Sequence, residues 1–150
     1  MRIFLVLISI FYSCFALADF DKGMAAYAKK DYATALVEFE KAAAQGHLEA
    51  QYKLGSMSYY GYFYGTTPDY LKAFEWIQKA AEQGYAAAQY RLGFMYTYGQ
   101  GVKQDYSKTL EWYQKAAEQG YAKAQRGIID LDGNKIRPGD FDAVRSTMRN

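Results

Sequence analysis

The sequence predicts an all-α fold, a short α-solenoid of antiparallel helix pairs. One phrase, Ala-Ala-x-Gln-Gly, occurs three times, and its glycines at positions 46, 84 and 120 lie 38 and 36 residues apart. A period of this length is typical of stacked helical units that cannot bury their apolar faces alone. Apolar residues also recur at helical spacing between these glycines. We therefore expect one repeat domain, with units over about 20–46, 47–84 and 85–120 and a partial unit with a cap over 121–150.

The first 18 residues are interpreted as a cleaved signal peptide. Arg2 is the only charged residue before Asp19, and an apolar segment over 3–11 lies between them. Ala16-Leu17-Ala18 then supplies the small-x-small pattern that signal peptidase accepts. A membrane-spanning helix needs roughly 20 apolar residues, and this segment is shorter and interrupted by serines. We therefore expect cleavage after Ala18 and a periplasmic or secreted mature chain without stable membrane insertion.

The composition of the mature chain excludes several classes of protein. Cys14 is the only cysteine and leaves with the signal peptide, so no disulfide is expected. Without Arg2, 17 Lys and Arg residues stand against 16 Asp and Glu residues, which gives a net charge of +1. Nucleic-acid binding usually requires a strong basic excess. The sequence therefore predicts no nucleic-acid partner.

Each full unit divides into two predicted helices. In the last full unit the first helix is predicted over 86–98 and ends at Gly99-Gln100-Gly101, because glycine tolerates the left-handed geometry of a helix terminus. The second helix follows Asp105, a favourable N-cap, and stops at the glycine of the repeated phrase. The preceding unit repeats this plan with Asp69 as the cap, and its connecting loop over 61–68 is two residues longer.

The two ends of the array carry shorter versions of this plan. Predicted helices over 20–30 and 31–45 form the first pair, and another first helix is predicted over 121–132. Asp140 then caps a final short helix, which would cover the apolar end of the stack as repeat arrays require. The apolar side of that capping helix is formed by Phe141, Val144 and Met148.

A dense pattern of small, aromatic and capping residues marks the last full unit. Its members are Ala88-Gln89, Leu92-Gly93, Met95-Tyr96, Gly99, Gly101-Val102, Asp105-Tyr106, Lys108, Trp112-Tyr113, Lys115-Ala116-Ala117 and Gln119-Gly120. This pattern resembles that of the Sel1-like repeat (SLR) family, relatives of the tetratricopeptide repeats. Thr109 departs from it, as does Ser58 in the preceding unit, while the first pair is more similar to a plain tetratricopeptide hairpin. The resemblance covers nearly all of the mature chain.

The resemblance implies a scaffold or adaptor for protein assembly, and bacterial members of the family are often exported. Some members have been labelled β-lactamases, but those are typically rich in cysteine. The mature chain has no cysteine and no Ser-x-x-Lys motif, so that activity is not carried over. We expect a binding protein and not an enzyme.

The sequence offers no catalytic residue, metal site or cofactor site. His47 is the only histidine, and with no second histidine to share a metal it is interpreted as a polar residue in the first turn of a helix. The segment over 130–134 resembles a fragment of a calcium loop, but no glutamate follows at the required distance. Trp76 and Trp112 occupy equivalent places in two repeats, which indicates packing.

A stripe of aromatic residues on the first helices is the predicted partner-binding groove. Tyr90, Phe94 and Tyr98 follow i, i+4, i+8 spacing, on a stripe separate from Leu92. First helices line the concave wall of tetratricopeptide-like stacks, and tyrosine offers a large binding area with a hydroxyl at little entropic cost. The full predicted set is Tyr27, Tyr52, Tyr59, Tyr60, Tyr90, Phe94 and Tyr98, bordered by Lys53, Arg91 and Arg126. The alternative is that several of these rings fill space between repeats.

Two functions remain open at this point. The leading hypothesis is an exported scaffold that holds a protein or peptide partner in the groove. The alternative is an inhibitor or modulator of a cell-envelope enzyme, acting through the loops at Tyr62-Phe63-Tyr64 and 99–104, since three successive aromatic residues cannot all point into one core. Either end of so short an array also offers a surface for a second copy.

Overall fold

The structure, a computed structural model, describes residues 2–61 and 67–134, with side chains over 15–61 and 67–128. These residues form seven helices and no strand. In chain order the helices are α1 (Arg2–Ala28), α2 (Tyr32–Ala44), α3 (Leu48–Tyr59), α4 (Tyr70–Glu82), α5 (Ala86–Tyr98), α6 (Tyr106–Glu118) and α7 (Ala122–Asn134). Within the described ranges, none of these helices combines the length and apolar character needed to cross a bilayer. The predicted cap at 140–148 lies outside the described residues.

The helices pack as consecutive pairs, which confirms the predicted solenoid. The closest associations are α1 with α2, α3 with α4 and α5 with α6, and α7 packs on α6 as the first helix of a further unit. Successive pairs also touch, through α2 with α3 and α4 with α5. Three buried clusters follow this order along the array, so the core is a row of small cores and not one central cluster.

The repeated phrase builds the turn that ends each second helix. Gly46, Gly84 and Gly120 all adopt positive φ, at +86°, +93° and +82°. After Gly46, the amide of His47 donates to the carbonyl of Ala42 at 3.0 Å, and the equivalent bonds recur in the other two units. This pattern is the Schellman motif, which glycine permits without strain. These three turns share one geometry, so each turn sends the first helix of the next unit in the same direction.

Each second helix begins at an aspartate N-cap, which confirms the caps predicted at Asp69 and Asp105. The carboxylate accepts a hydrogen bond from the backbone amide three residues later and so satisfies one free donor of the first turn. The bonds join Thr34 to Asp31, Lys72 to Asp69 and Lys108 to Asp105, at 3.2, 2.9 and 3.0 Å.

The two helices of each pair approach one another at a glycine, which we call the glycine contact. The three contacts are Gly23 with Phe39, Gly55 with Ile77 and Gly93 with Tyr113. A Cβ atom on Gly93 would lie 2.5 Å from the Tyr113 ring, and one on Gly55 would lie equally close to Ile77. No side chain therefore fits at these positions unless the helices separate.

Paired glutamines link successive units. Gln89 is buried; its Nε2 donates to the carbonyl of Ala81 at 3.2 Å, and its Oε1 accepts from Nε2 of Gln119 at 2.8 Å. The same arrangement occurs one repeat earlier, in Gln51, Ala43 and Gln83. Because a buried amide without partners costs about 1–3 kcal/mol, these bonds favour one register of stacking.

α1 continues without a break through the predicted cleavage point after Ala18. The sequence predicted that the first helix begins near Phe20. The structure extends it toward Arg2, because no glycine or proline before Gly23 interrupts the helix. Ala16 is buried, while Phe20, Gly23 and Ala26, which pack in the first unit, all follow the cleavage point. A chain that begins at Asp19 therefore keeps the first glycine contact.

The glycine contact predicts that Gly93→Ala destabilises the protein. Alanine normally stabilises a helix relative to glycine by about 1 kcal/mol. Here the added methyl meets the Tyr113 ring, and overpacking of this kind costs about 1–3 kcal/mol. Chemical denaturation should show a lower free energy of unfolding than for the wild type. Ser107→Ala, at an exposed position of α6, is the control, and an equal or higher stability of Gly93→Ala would show that the close approach is not required.

Candidate functional site

Two residues of the predicted groove pack between helices. The Tyr27 ring lies 5.4 Å from the Tyr32 ring and joins the core cluster between α1 and α2. The Tyr90 ring stacks on Tyr113 at 5.2 Å and lies 5.3 Å from Tyr121, so it links α5 with α6 and the start of α7. For these two rings the structure shows the space-filling contacts of the packing alternative. Tyr52, Tyr59 and Phe94 are only partly buried, but they too pack against buried clusters.

Four other groove residues surround the guanidinium of Arg91. Its Cζ lies 5.0 Å from the centroid of Tyr59, 5.4 Å from that of Tyr60 and 5.7 Å from that of Phe94. Nη2 donates to the Tyr60 hydroxyl at 3.0 Å, and the Tyr52 hydroxyl also interacts with the group. We call Arg91 with these four aromatic residues the Arg91 site. Sequence analysis placed Arg91 at the border of the groove, whereas the structure places it among the rings.

The positive charge of Arg91 has no carboxylate partner within the described residues. The ion pairs found there are Lys22–Asp19, Lys41–Glu38 and Lys115–Glu111. The Arg91 side chain is partly exposed, but its Nε is buried and donates no hydrogen bond. Of the five N–H donors of the guanidinium, those bound within the described residues go to tyrosine hydroxyls and none goes to a carboxylate.

Two groups of the Arg91 site have shifted pKa values, Tyr59 and Arg91 itself. Burial raises the pKa of Tyr59, whose hydroxyl donates to Oε1 of Gln100 at 2.7 Å. For Arg91, burial opposes the charged form, but Tyr52 and Tyr60 outweigh that effect and raise the pKa of the guanidinium. The Arg91 site therefore holds one fixed positive charge in a largely aromatic surface.

The aromatic surface extends beyond the Arg91 site in both directions along α5. On one side Phe94 lies 4.5 Å from Tyr98, whose side chain is 57% exposed. On the other side the Tyr52 ring lies 5.3 Å from Tyr85. Sequence analysis did not place Tyr85 or the equivalent Tyr121 in the groove. The sequence does show that these two tyrosines are equivalent, because each directly follows the repeated Gln-Gly step.

The loop over 99–104 is held against its neighbours. Gln100 accepts the bond from Tyr59, and Nε2 of Gln104 donates to the carbonyl of Thr97 at 2.6 Å. Gly101 lies directly against the backbone of Tyr70 at the start of α4. The second predicted loop site, Tyr62-Phe63-Tyr64, lies outside the described residues.

His47 is the N-cap of α3, immediately before the first turn where the sequence placed it. Its Nδ1 accepts from the amide of Ala50 at 3.2 Å, and its ring stacks on Phe20 at 4.3 Å. Burial lowers the pKa of His47, which favours the neutral form that this bond requires. In the part of the chain that the structure describes, no three His, Cys, Asp or Glu residues lie close enough to share a metal ion.

A cavity of about 420 Å³ lies between α2, α3 and the start of α4. Its wall includes Tyr32, Leu36, Met57, Asp69 and Lys72. None of the groove residues predicted from the sequence lines it, so this cavity is separate from the aromatic surface on α3 and α5.

Comparison with known proteins identifies the repeat. The Sel1 repeat family matches residues 12–47, 48–85 and 86–121. A Sel1 repeat protein from Oxalobacter formigenes is similar in structure, with a TM-score of 0.72 and 33% identity over 87% of this chain and 99% of that one. A protective antigen of uropathogenic Escherichia coli, c5321, which displays an SLR fold, has a TM-score of 0.70 and 35% identity. That match covers 79% of this chain and 26% of the antigen. A search of curated proteins found no match.

The buried Tyr113 predicts a loss of stability in alkali. Burial raises the pKa of Tyr113 to about 12, from an ordinary value of 10.0. Below pH 10 the hydroxyl is protonated in both the folded and the unfolded state. Between pH 10 and 12 the unfolded chain loses this proton first, so the free energy of unfolding should fall by up to about 2–3 kcal/mol. Denaturant unfolding at a series of pH values measures the slope, which Tyr113→Phe should make shallower; an unchanged slope in that variant would contradict the assignment.

Proposed function

This chain belongs to the Sel1 repeat family, and we propose that it is a non-enzymatic scaffold that binds a protein or peptide partner on the aromatic surface of α3 and α5. Sel1 repeat proteins generally serve as protein-interaction scaffolds. The observation that carries the location is the Arg91 site, a charged group set among partly exposed rings on two successive first helices. Aromatic residues and arginine are the residues most enriched at the energetic centres of interfaces.

The packing of the surface also supports this location. The Arg91 site is supported from behind by buried residues of the same two helices, among them Leu54 and Leu92, each 1% exposed. A surface that is already ordered loses little conformational entropy when a partner binds. Tyr98, whose side chain is 57% exposed, is the most exposed ring of this surface.

We further propose that the protein acts after export, in the periplasm or outside the cell. The support is the apolar segment and the small-x-small pattern at Ala16-Leu17-Ala18. The first unit tolerates removal of 1–18 in this account, because Phe20, Gly23 and Ala26 remain to pack against α2.

The first test removes accessible rings and measures partner capture. In the variant Tyr60→Ala with Tyr98→Ala, affinity capture from the cell envelope, quantified by mass spectrometry, should recover at least about tenfold less partner, since interface hot spots contribute about 2 kcal/mol or more each. Circular dichroism should show unchanged helical content.

The matched control is Val37→Ala with Leu71→Ala, which removes exposed apolar side chains from the second helices α2 and α4. Its capture should equal that of the wild type. Capture that survives in the tyrosine variant but is lost on deletion of Tyr62-Phe63-Tyr64 would contradict the groove and favour the loop alternative, an inhibitor or modulator of an envelope enzyme.

The second test examines export. The protein recovered from the cell envelope or the medium should begin at Asp19, as determined by N-terminal sequencing and intact mass. Replacing Ala16 and Ala18 with bulky residues such as Leu should block this cleavage, because signal peptidase accepts small residues there. A full-length chain confined to the cytoplasm would contradict the export proposal and leave the binding proposal unaffected.

A further inference from the structure

We infer that the Arg91 site recognises the carboxylate of an aspartate or glutamate side chain within an internal segment of the partner. This inference rests on the proposed function and adds the chemistry of the bound segment. It is drawn from a charge without a carboxylate partner among the described residues, from the aromatic side chains around that charge, and from the position of the charge within the aromatic surface.

Arg91 lies over three rings, more than any other cation within the described residues. Lys115 lies 4.1 Å from the Trp112 centroid, and its Nζ is also paired with Glu111 at 2.7 Å. Arg91 instead contacts three rings and the hydroxyls of Tyr60 and Tyr52, with no carboxylate among the described residues. Cation–π contacts compensate only part of the lost hydration of a partly buried guanidinium. An anion supplied by the partner would complete its hydrogen bonds.

A carboxylate fits this site better than a more highly charged anion. Among the described residues no carboxylate is paired with Arg91, so the site offers one positive charge to its ligand. A carboxylate brings one negative charge, whereas a phosphate monoester brings about −1.5 to −2 and would leave uncompensated charge against the rings. The planar fork of arginine also matches the two oxygens of a carboxylate.

The position of Arg91 favours an internal acidic residue over a chain terminus. Tyr85 precedes Arg91 by six residues and Tyr98 follows it by seven. At 1.5 Å per residue, the aromatic surface thus continues for about 9–10 Å to either side of Arg91 along α5. A bound segment that crosses the site would place apolar residues on both sides of its acidic side chain.

The repeat places a second cation at the corresponding position of the preceding unit. Lys53 stands 38 residues before Arg91, the period of this unit, and its Nζ lies 5.4 Å from the Tyr27 centroid. A partner segment that follows the stack would therefore meet positive charge at both first helices. Of these two cations, Arg91 has the planar guanidinium and lies among several rings, whereas Lys53 lies over one.

The test uses a displayed library of random linear peptides, selected on the purified protein. Peptides recovered by the wild type should be enriched in aspartate or glutamate with apolar residues on either side. Each recovered sequence is then synthesised in three forms: unchanged, with Glu→Gln or Asp→Asn at the acidic position, and with an amidated C-terminus. Affinities are measured for the wild type, Arg91→Gln, Arg91→Lys and the control Lys79→Gln.

On the wild type, the amide replacement of the acidic residue should weaken binding at least about tenfold, as expected when one partner of a charge-assisted hydrogen bond is removed. The Arg91→Gln protein should bind the unchanged peptide weakly. Replacing the acidic residue of the peptide with its amide should not weaken binding to this variant further. Arg91→Lys should fall between the two, because it keeps the charge and loses the fork. Lys79→Gln, which removes a cation over Trp76 on α4, should match the wild type.

Four results would overturn the inference. Peptides without acidic enrichment would reject the carboxylate while leaving the proposed binding function in place. Equal effects of the amide replacement on the wild type and on Arg91→Gln would show that the carboxylate binds elsewhere. Loss of binding on C-terminal amidation alone would identify a chain terminus as the ligand. Recovery of no peptide by the wild type would also overturn this inference, whereas the proposed function is decided separately, by the capture experiment with Tyr60→Ala and Tyr98→Ala.

Discussion

The short distance between the helices of each pair is the constraint on which the rest of the structure depends. At Gly55 and Gly93 the second helix inserts Ile77 or Tyr113 into space that any Cβ would occupy. The pairs are thereby held close, and no ring fits at the glycine itself. Rings elsewhere on the first helix either pack around this contact, as Tyr90 does on Tyr113, or lie toward solvent, as Tyr98 does.

Stacking turns these separate faces into one surface. The Schellman turns at the repeated glycines send each first helix back in the same direction, and the glutamine pairs around Gln51 and Gln89 fix how far one unit is rotated against the next. As a result Tyr59 and Tyr60, at the end of α3, come beside Arg91 on α5, more than thirty residues along the chain. Gln51 and Gln89 are buried, whereas the rings around Arg91 stay partly accessible.

The sequence predicted the repeat fold closely because its signals are local. Caps such as Asp105 and terminal glycines such as Gly120 act within a few residues, so the bounds of α5 and α6 could be stated in advance. The predicted start of α1 near Phe20 was wrong, because no residue before Phe20 interrupts the helix that begins at Arg2. Spacing also identified the aromatic stripe, but spacing along one helix does not show what the next helix places against it. Tyr90 meets Tyr113 and Tyr121, while Arg91, expected at the border, lies among rings from two units. Both contacts depend on neighbours that are distant in sequence.

The central claim is that one continuous surface on α3 and α5 binds the partner, and NMR chemical-shift mapping tests it most directly. Backbone amide spectra of the purified protein would be recorded with and without an excess of a peptide that it selects. The account predicts that the largest changes fall on α3 and α5 around Tyr59, Arg91 and Tyr98, together with the Arg91 side-chain resonances. Changes confined to the cavity beside α2 and α4, or to the loops, would contradict it.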